Sequence, residues 1–336
     1  MFPVDRAFLI INRAAGTGQG ESIVERLTAC FKESLAELSE VRVELVDDHA
    51  TACACAAQFV SSSEGRALVV AGGGGGTLRA VIEGVFSNAT VRVGALRMGS
   101  GNVLARQFGV PRDPILGLEG LFRNLQNGST APCCVMRCET WTGSGDSQVH
   151  YAVSMGGLGQ FGRIPSDLSR WHTRFPLVRK LGSRAIGVEK FNNVEYTIAF
   201  LLRTFTHQAE TVEIQFHNHQ ERFRLLSGVV MNFPIKAIPF KPSVTVEDEA
   251  LEVHLLSLRG SRSFRIEKDQ RLEIRFADRE CVEFFLDEDP VTTCGRLSFE
   301  VAGSISFVPG PDYLTADDTE KIRISNLCNL SIGATK

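Results

Sequence analysis

Five consecutive glycines, Gly72 to Gly76, follow a run of small or branched apolar residues, Ala67 to Val70, and precede a segment that opens at Thr77. That segment carries Leu78, Val81 and Ile82 at helical spacing, so the stretch reads as a buried strand, a glycine turn and a helix. A strand that breaks into glycines and restarts as a helix aims backbone N–H groups and the positive helix end at one point. That arrangement favours a phosphate. Glycine serves there because a Cβ would hold the phosphate away, and positive φ is expected at several of these positions. A flexible linker is the competing reading, but linkers seldom separate a buried strand from an apolar helix.

The first 125 or so residues alternate strands with helices. Phe8–Ile11 is a strand, followed by Asn12 and a glycine-containing loop to Gly20. A helix follows over Glu21–Leu38, a strand over Val41–Val46 and a helix over Thr51–Val60. After the glycine element, Thr90–Leu96 is a strand, Gly99–Asn102 a second glycine turn, and Val103–Phe108 a helix that stops before Pro111. This pattern implies a parallel sheet with helices on both faces, and ligands in such sheets lie beyond the carboxyl ends of the strands.

From about Cys133 the texture changes to short segments of period-two alternation. Strands are expected at Val149–Val153, Val194–Leu202, Thr211–Phe216, Phe223–Val230, Leu251–Leu256, Arg271–Phe276, Val282–Leu286 and Leu297–Val301. A helical insertion is expected over Leu177–Phe191. The spacing predicts an antiparallel, sandwich-like second domain. The division expected is residues 1–132, residues 133–310, and a polar tail, 311–336, that packs back on the first domain or frays.

A net charge of −3 argues against nucleic acid as a partner. No apolar run reaches the roughly 18 residues that span a bilayer, and Asp5 and Arg6 interrupt the N-terminal apolar stretch, so neither a membrane span nor a signal peptide is expected. A cytoplasmic location follows, and a substrate, if it is a lipid, must be met at a membrane surface; a homodimer stays open. The nine cysteines lack both disulfide-framework and zinc spacing and read as reduced, partly buried thiols. His217 and His219 share a strand face without a third ligand and read as surface polar residues.

The glycines from Gly16 to Gly20 fail the dinucleotide fingerprint because Glu21 stands where its third glycine belongs. No Lys-Ser/Thr follows them, so a P-loop fails too. What the residues resemble is the diacylglycerol kinase catalytic-domain family, which includes bacterial lipid kinases and sphingosine kinases and is related in its nucleotide fold to NAD kinases. Leu9-Ile10-Ile11-Asn12 is similar to the family's opening strand and Asn-Pro turn, with Arg13 in place of proline. Gly73–Thr77 sits where the family has G-G-D-G-T, and Gly99–Arg106 with Gly109-Val110-Pro111 is similar to its G-T-x-N run. In the second domain, Gly156–Gly159, Asn232 and Asp248–Val253 fall in family order, and Leu286–Pro290 lies where L-D-G-E-P is expected.

The resemblance implies ATP-dependent, Mg²⁺-assisted phosphorylation of a lipid hydroxyl such as that of diacylglycerol, in a cleft between the domains. Phosphoryl transfer requires the γ-phosphate held, its charge met and a proton removed from the attacking hydroxyl. By resemblance, Asn12, Gly73, Gly74, Gly75, Gly76, Thr77, Gly99, Ser100 and Asn102 bind the nucleotide. Asp287 is the general base with Asp289 as its acidic companion, and Asp248 is a candidate metal ligand. Glu249 replaces the glycine that follows Asp248 in the family's metal turn. Trp171, Phe175 and Leu177 offer an apolar substrate surface, although core packing explains them as well. The departure that matters is Gly75, which stands where the family carries the acid of its nucleotide–metal site. Losing a group in that role costs on the order of a hundredfold or more in rate; Asp47 and Asp48, which end the second strand, lie on the right edge of the sheet to compensate. A catalytically impaired nucleotide-binding regulator and an NAD kinase relative therefore remain as alternatives.

Overall fold

The first strand sends alternate residues to opposite faces of its sheet. In β1 (Arg6–Asn12), Phe8 and Ile10 enter one hydrophobic cluster while Ala7, Leu9 and Ile11 enter another. A strand buried on both faces belongs at the centre of a layered α/β unit. The computed structural model describes residues 2–13, 15, 21–62, 64–99, 101–175, 194–195, 198–199, 202–203, 208–235, 242–277, 281–287 and 289–314.

The elements that follow are α1 (Glu21–Ser34), β2 (Glu40–Val46), α2 (His49–Ser61), β3 (Ala67–Gly73), α3 (Gly75–Val85), β4 (Val91–Arg97), α4 (Val103–Gln107) and α5 (Pro114–Gln126). Strands β2, β1, β3 and β4 lie side by side and parallel. Helices α2, α3 and α4 cover one face, and α1 and α5 the other. Asp113 caps α5 by accepting from the Ile115 and Leu116 amides, with Pro114 opening the helix.

Antiparallel pairing begins at β5 (Ala131–Trp141) and β6 (Ser147–Ala152). Next come β7 (Met155–Leu158), α6 (Gly159–Gly162), α7 (Ile164–Arg174), β8 (Glu210–Phe216), β9 (His219–Leu225), β10 (Ser227–Met231), β11 (Ala250–Ser257), β12 (Gly260–Glu267), β13 (Arg271–Phe276), β14 (Cys281–Leu286), β15 (Asp289–Cys294) and β16 (Arg296–Phe307). Six of these form a second sheet in the order β12-β11-β10-β7-β14-β15. A second apolar core, including Leu158, Val230, Leu251, Phe284 and Phe299, lies where its strands pack against the antiparallel part of the first sheet. The fold is thus a parallel α/β N-terminal region followed by an antiparallel β region, as the sequence pattern predicts.

Strand β16 joins the two regions. It pairs antiparallel with β5 and β13, and its last residues run parallel to β4 through Ser306↔Arg92 and Phe307↔Val93. Beyond it, Asn124 donates to the Pro309 and Gly310 carbonyls, and Phe108 stacks on Phe307 with ring centroids 4.2 Å apart. The start of the expected tail packs on the first region, the Asp312 amide donating to the Gly109 carbonyl at 3.3 Å and the Tyr313 ring lying 5.2 Å from that of Phe108; residues 315–336 lie outside the described residues.

Four expectations need correction, the first being that Phe223–Val230 is not one strand but the end of β9 and most of β10, which meet at Leu226. Val194–Leu202 is not a strand: residues 194, 195, 198, 199, 202 and 203 are helical, with Ala199 packed on Ile164 and Leu168 of α7. Trp171 packs against that same cluster, while Leu177 and the expected helix over 177–191 lie outside the described residues. His217 is not on a strand but in the turn between β8 and β9, with φ of 52°. The cysteines are not all reduced, because Cys281 and Cys294 face each other across β14 and β15 and form a disulfide. The other described cysteines are free thiols. Burial pushes Cys134 up to about 12 and drives Cys133 and Cys138 upward too, so none is a ready thiolate. Peptide mapping under non-reducing conditions should recover Cys281 linked to Cys294. Reduction of that bond, or Cys281→Ser, should lower stability by about 3 kcal/mol for a loop of this size.

Candidate functional site

The carboxyl ends of β3 and β4 turn toward one another. Strand β3 ends at Gly73, Gly74 caps α3 in extended conformation (φ −93°, ψ −169°), and the helix begins at Gly75. None of Gly72 to Gly76 has positive φ, contrary to the expectation from sequence. Close approach is what requires glycine. A Cβ on Gly73 would lie 2.3 Å from the Thr77 hydroxyl, and one on Gly99 would lie 2.4 Å from the Gly74 Cα. The two glycine turns thus touch backbone to backbone, and the Met98 and Gly99 amides both donate to the Gly73 carbonyl, at 3.0 and 3.1 Å.

Asparagines brace both turns. Asn12, at the end of β1, donates to the Thr77 hydroxyl at 3.1 Å. Asn102 adopts left-handed conformation (φ 50°) and closes its own turn, donating to the Gly99 carbonyl and accepting from the Gly99 amide at 3.3 Å. Gly74 has no side chain to cap α3, so the first-turn amides of this 11-residue helix remain directed at the cleft.

The second region supplies the acids. Strand β14 pairs with β7 through Phe285↔Gly157 and Leu286↔Gly156, and a Cβ on Gly157 would lie 2.1 Å from the Phe285 ring. This approach brings the β14–β15 hairpin, which reverses between Leu286 and Asp289, over the start of α3. Asp287 is buried and left-handed (φ 49°). Its Oδ2 accepts from the Val153 amide at 2.7 Å, and its Oδ1 from the Ser154 and Met155 amides at 2.8 and 3.1 Å and from the Ser154 hydroxyl. Asn232 steadies the same turn by donating to the Val153 carbonyl at 2.8 Å.

Asp289 stands differently. It is 43 % exposed, and its carboxylate oxygens lie 3.5 Å from where a Cβ on Gly76 would be. Arg79, buried on α3, donates to it at 3.1 Å, and also to the Leu286 and Tyr151 carbonyls at 3.3 and 2.8 Å. His49 approaches Asp289 to 3.8 Å and bonds Glu83 at 2.7 Å. Burial raises Asp289 above the ordinary carboxylate value of 3.8, an effect that Arg79 and His49 only partly offset. Burial acts upward on Glu83 as well, but there His49 and Arg79 prevail and hold it low.

Gly73, Gly74, Gly75, Asn102, Ser154 and Asp287 line one solvent-open cleft. Asn12, Thr77 and Gly99 lie directly behind it, and Gly76 and Asp289 meet beside it. Ser100 and the loop at 16–20 lie outside the described residues. Asp248 is not among the lining residues; it closes a local turn by accepting from the Thr245 amide at 2.7 Å. Asp48, one possible substitute for the acid missing at 75, is engaged as the cap of α2. Sequence reasoning missed Arg79 and His49. The available signal for Arg79 was a lone cation in the otherwise apolar run Leu78–Ile82, buried throughout.

Of the described carboxylates, the half-exposed Asp289 beside the start of α3 is the one that would share a Mg²⁺ ion, which the family resemblance implies, with substrate phosphates. Among the described residues no group of three or more His, Cys, Asp or Glu side chains could hold a metal ion.

Residues 6–136 match the family model for the diacylglycerol kinase catalytic domain. No curated protein matches the chain. Among solved structures, a diacylglycerol kinase from Bacillus anthracis str. Sterne superimposes with a TM-score of 0.60 at 15% identity, covering 93% of this chain and 99% of its own. A second structure from that strain, provisionally assigned as a diacylglycerol kinase, gives 0.60 at 16% identity over 92% and 98%. The recognition drawn from the motifs is borne out by the family match, and the structural likeness shows the fold.

Asp287→Asn would place an amide NH₂ against donors that now converge on a carboxylate. Leaving such buried groups mismatched should lower stability by about 2–4 kcal/mol, measured by urea denaturation. Asp289→Asn, half-exposed, should shift the midpoint far less.

Proposed function

We propose that this protein is a lipid kinase that transfers the γ-phosphoryl group of ATP to a lipid hydroxyl such as that of diacylglycerol. The observation that carries the reading is the contact of two glycine turns at the rim of a parallel sheet, directly beneath the hairpin that bears Asp287 and Asp289. The catalytic-domain match over residues 6–136 and the likeness to a Bacillus anthracis diacylglycerol kinase support the same substrate class. No described helix is long and apolar enough to cross a membrane, so the lipid would be met at a membrane surface, from the cytoplasmic side.

In this reading the first-turn amides of α3 and the turn at 99–102 receive the phosphates. Thr77 accepts from Asn12 and so keeps its own proton to donate. The acceptor hydroxyl oxygen attacks the γ-phosphorus, the bond to the bridging oxygen breaks, ADP leaves, and the hydroxyl proton passes to a carboxylate. The resemblance gives that proton to Asp287. The hydrogen bonds favour Asp289, because Asp287 already accepts from four donors and holds the turn at 153–155, whereas Asp289 is reachable and raised. Arg79 would orient Asp289 from below.

A nucleotide-binding regulator without turnover is the second reading, favoured by Gly75. The two part in one assay: transfer of labelled phosphate from ATP to mixed lipids, with NAD as a soluble acceptor. Phosphorylated lipid is the expected product. Labelled NAD, or no transfer beside measurable ATP binding, would reject the lipid kinase. Asp289→Asn should slow transfer by about 10²–10⁴-fold. A base must be ionised to work, so the rate should climb with pH through an acid limb lying above 3.8, and that limb should vanish in the variant.

A further inference from the structure

Strand β15 carries Asp289 and is held to the rest of the protein by few groups. It lies at the edge of the second sheet and pairs there with β14 alone. Val282, Phe284, Phe285 and Leu286 of β14 are buried, whereas the only buried side chain of β15 is Thr293. Thr293 accepts from the Trp141 amide at 3.1 Å and donates to the Arg296 carbonyl. Pro290 faces Phe285 and brings no N–H to the ladder, so the rungs thin out beside Asp289. Register is weakly specified in a strand with so little buried on either face. A slip of two positions would keep each side chain on its face and carry Asp289 about 7 Å along the strand, away from the Arg79 guanidinium that now meets it at 3.1 Å. The bond between Cys281 and Cys294, which stand directly opposite one another, forbids that slip. It is also within reach of solvent, since Cys281 is exposed and Cys294 half-buried. Exposed disulfides are the ones open to thiol exchange.

We infer that the Cys281–Cys294 bond is a reversible redox site that sets the place of Asp289, closed in the active protein and opened by an external dithiol. One thiolate of the dithiol attacks the Cys281 sulfur, the S–S bond breaks, and Cys294 leaves as a thiolate that takes up a proton. The second thiolate of the dithiol then attacks the mixed disulfide, Cys281 is released and protonated, and the dithiol is left as a disulfide. Two electrons and two protons pass to the protein. The bond lies at the opposite end of the hairpin from Asp287 and Asp289, so reduction touches no cleft residue and acts by freeing the register of β15. Cys133, Cys134 and Cys138, all fully buried, stay outside the exchange. The effect on phosphoryl transfer rests on the reading of Asp289 as the base; the thiol exchange does not.

The test poises the full-length protein in buffers of dithiothreitol and its disulfide, quantifies the Cys281–Cys294 bond by thiol alkylation and peptide mapping, and follows hydrogen–deuterium exchange along the chain. Opening should occur in the folded protein and speed exchange at residues 289–294 at least about tenfold, while β1 and β3 keep their protection. Reoxidation should reverse it. Transfer of labelled phosphate to lipid should fall about tenfold in kcat with KM little changed, and recover as the bond reforms. The double variant Cys281→Ser, Cys294→Ser should keep the slow rate in every buffer. Should it fail to fold, the reversible change in the wild type decides alone. A bond that opens only as the whole chain unfolds, that opens without faster exchange at 289–294, or that opens without slowing an active enzyme would overturn the inference and leave the kinase reading intact. Absence of transfer by the oxidised protein would remove the kinase reading, and the exchange measurements would then decide the redox site by themselves.

Discussion

Two backbones in contact set the geometry of this molecule. Gly74 and Gly99 meet so closely that residue 99 can carry no Cβ, since one there would come within 2.4 Å of the Gly74 Cα. The ends of β3 and β4 can converge only because of that contact, and the start of α3 is left facing open space as a result. The glycines cost backbone entropy. The carbonyl of Gly73, which receives two amides from the neighbouring turn, offsets part of it. Everything proposed about phosphate follows from amides held this closely.

The second region meets that rim through another set of small residues. Gly156 and Gly157 let β14 lie flat against β7, and the hairpin then carries Asp287 and Asp289 to the first turn of α3. Arg79 spans the junction, holding the Tyr151 and Leu286 carbonyls along with Asp289. Its guanidinium is buried and its partners come from three strands or strand ends, so it fixes the hairpin more firmly than an exposed pair could. The disulfide between Cys281 and Cys294 joins the same two strands at their far end. The hairpin is thus secured at both ends, and Asp287 and Asp289 take separate duties: the first is consumed in holding a turn, the second stands half-exposed beside the helix.

Much of this was legible in the sequence. Alternation of strand and helix, both glycine turns and the bracing asparagines are local features, and local features survive translation from residue order to space. Glycine at 73 was rightly read as essential but for a reason only partly right: the φ angles at 72–76 are ordinary, proximity excludes a Cβ at 73, and positions 74, 75 and 76 leave room for one. Val194–Leu202 misled because a two-residue period contains a four-residue one: Val194, Ile198 and Leu202 fit a strand face and a helix face equally. Arg79 could not be assigned a role from its neighbours, since its partners lie 72 to 210 residues away. The Cys281–Cys294 bond was hidden for a related reason, being a matter of strand register.

Hydrogen–deuterium exchange with and without ATP addresses the central claim most directly, because it reports on the amides themselves. The account predicts that ATP slows exchange at residues 73–77 and 99–102, with the turn at 153–155 affected less. Unchanged exchange at both glycine turns under saturating ATP, or protection confined to the antiparallel region, would contradict it.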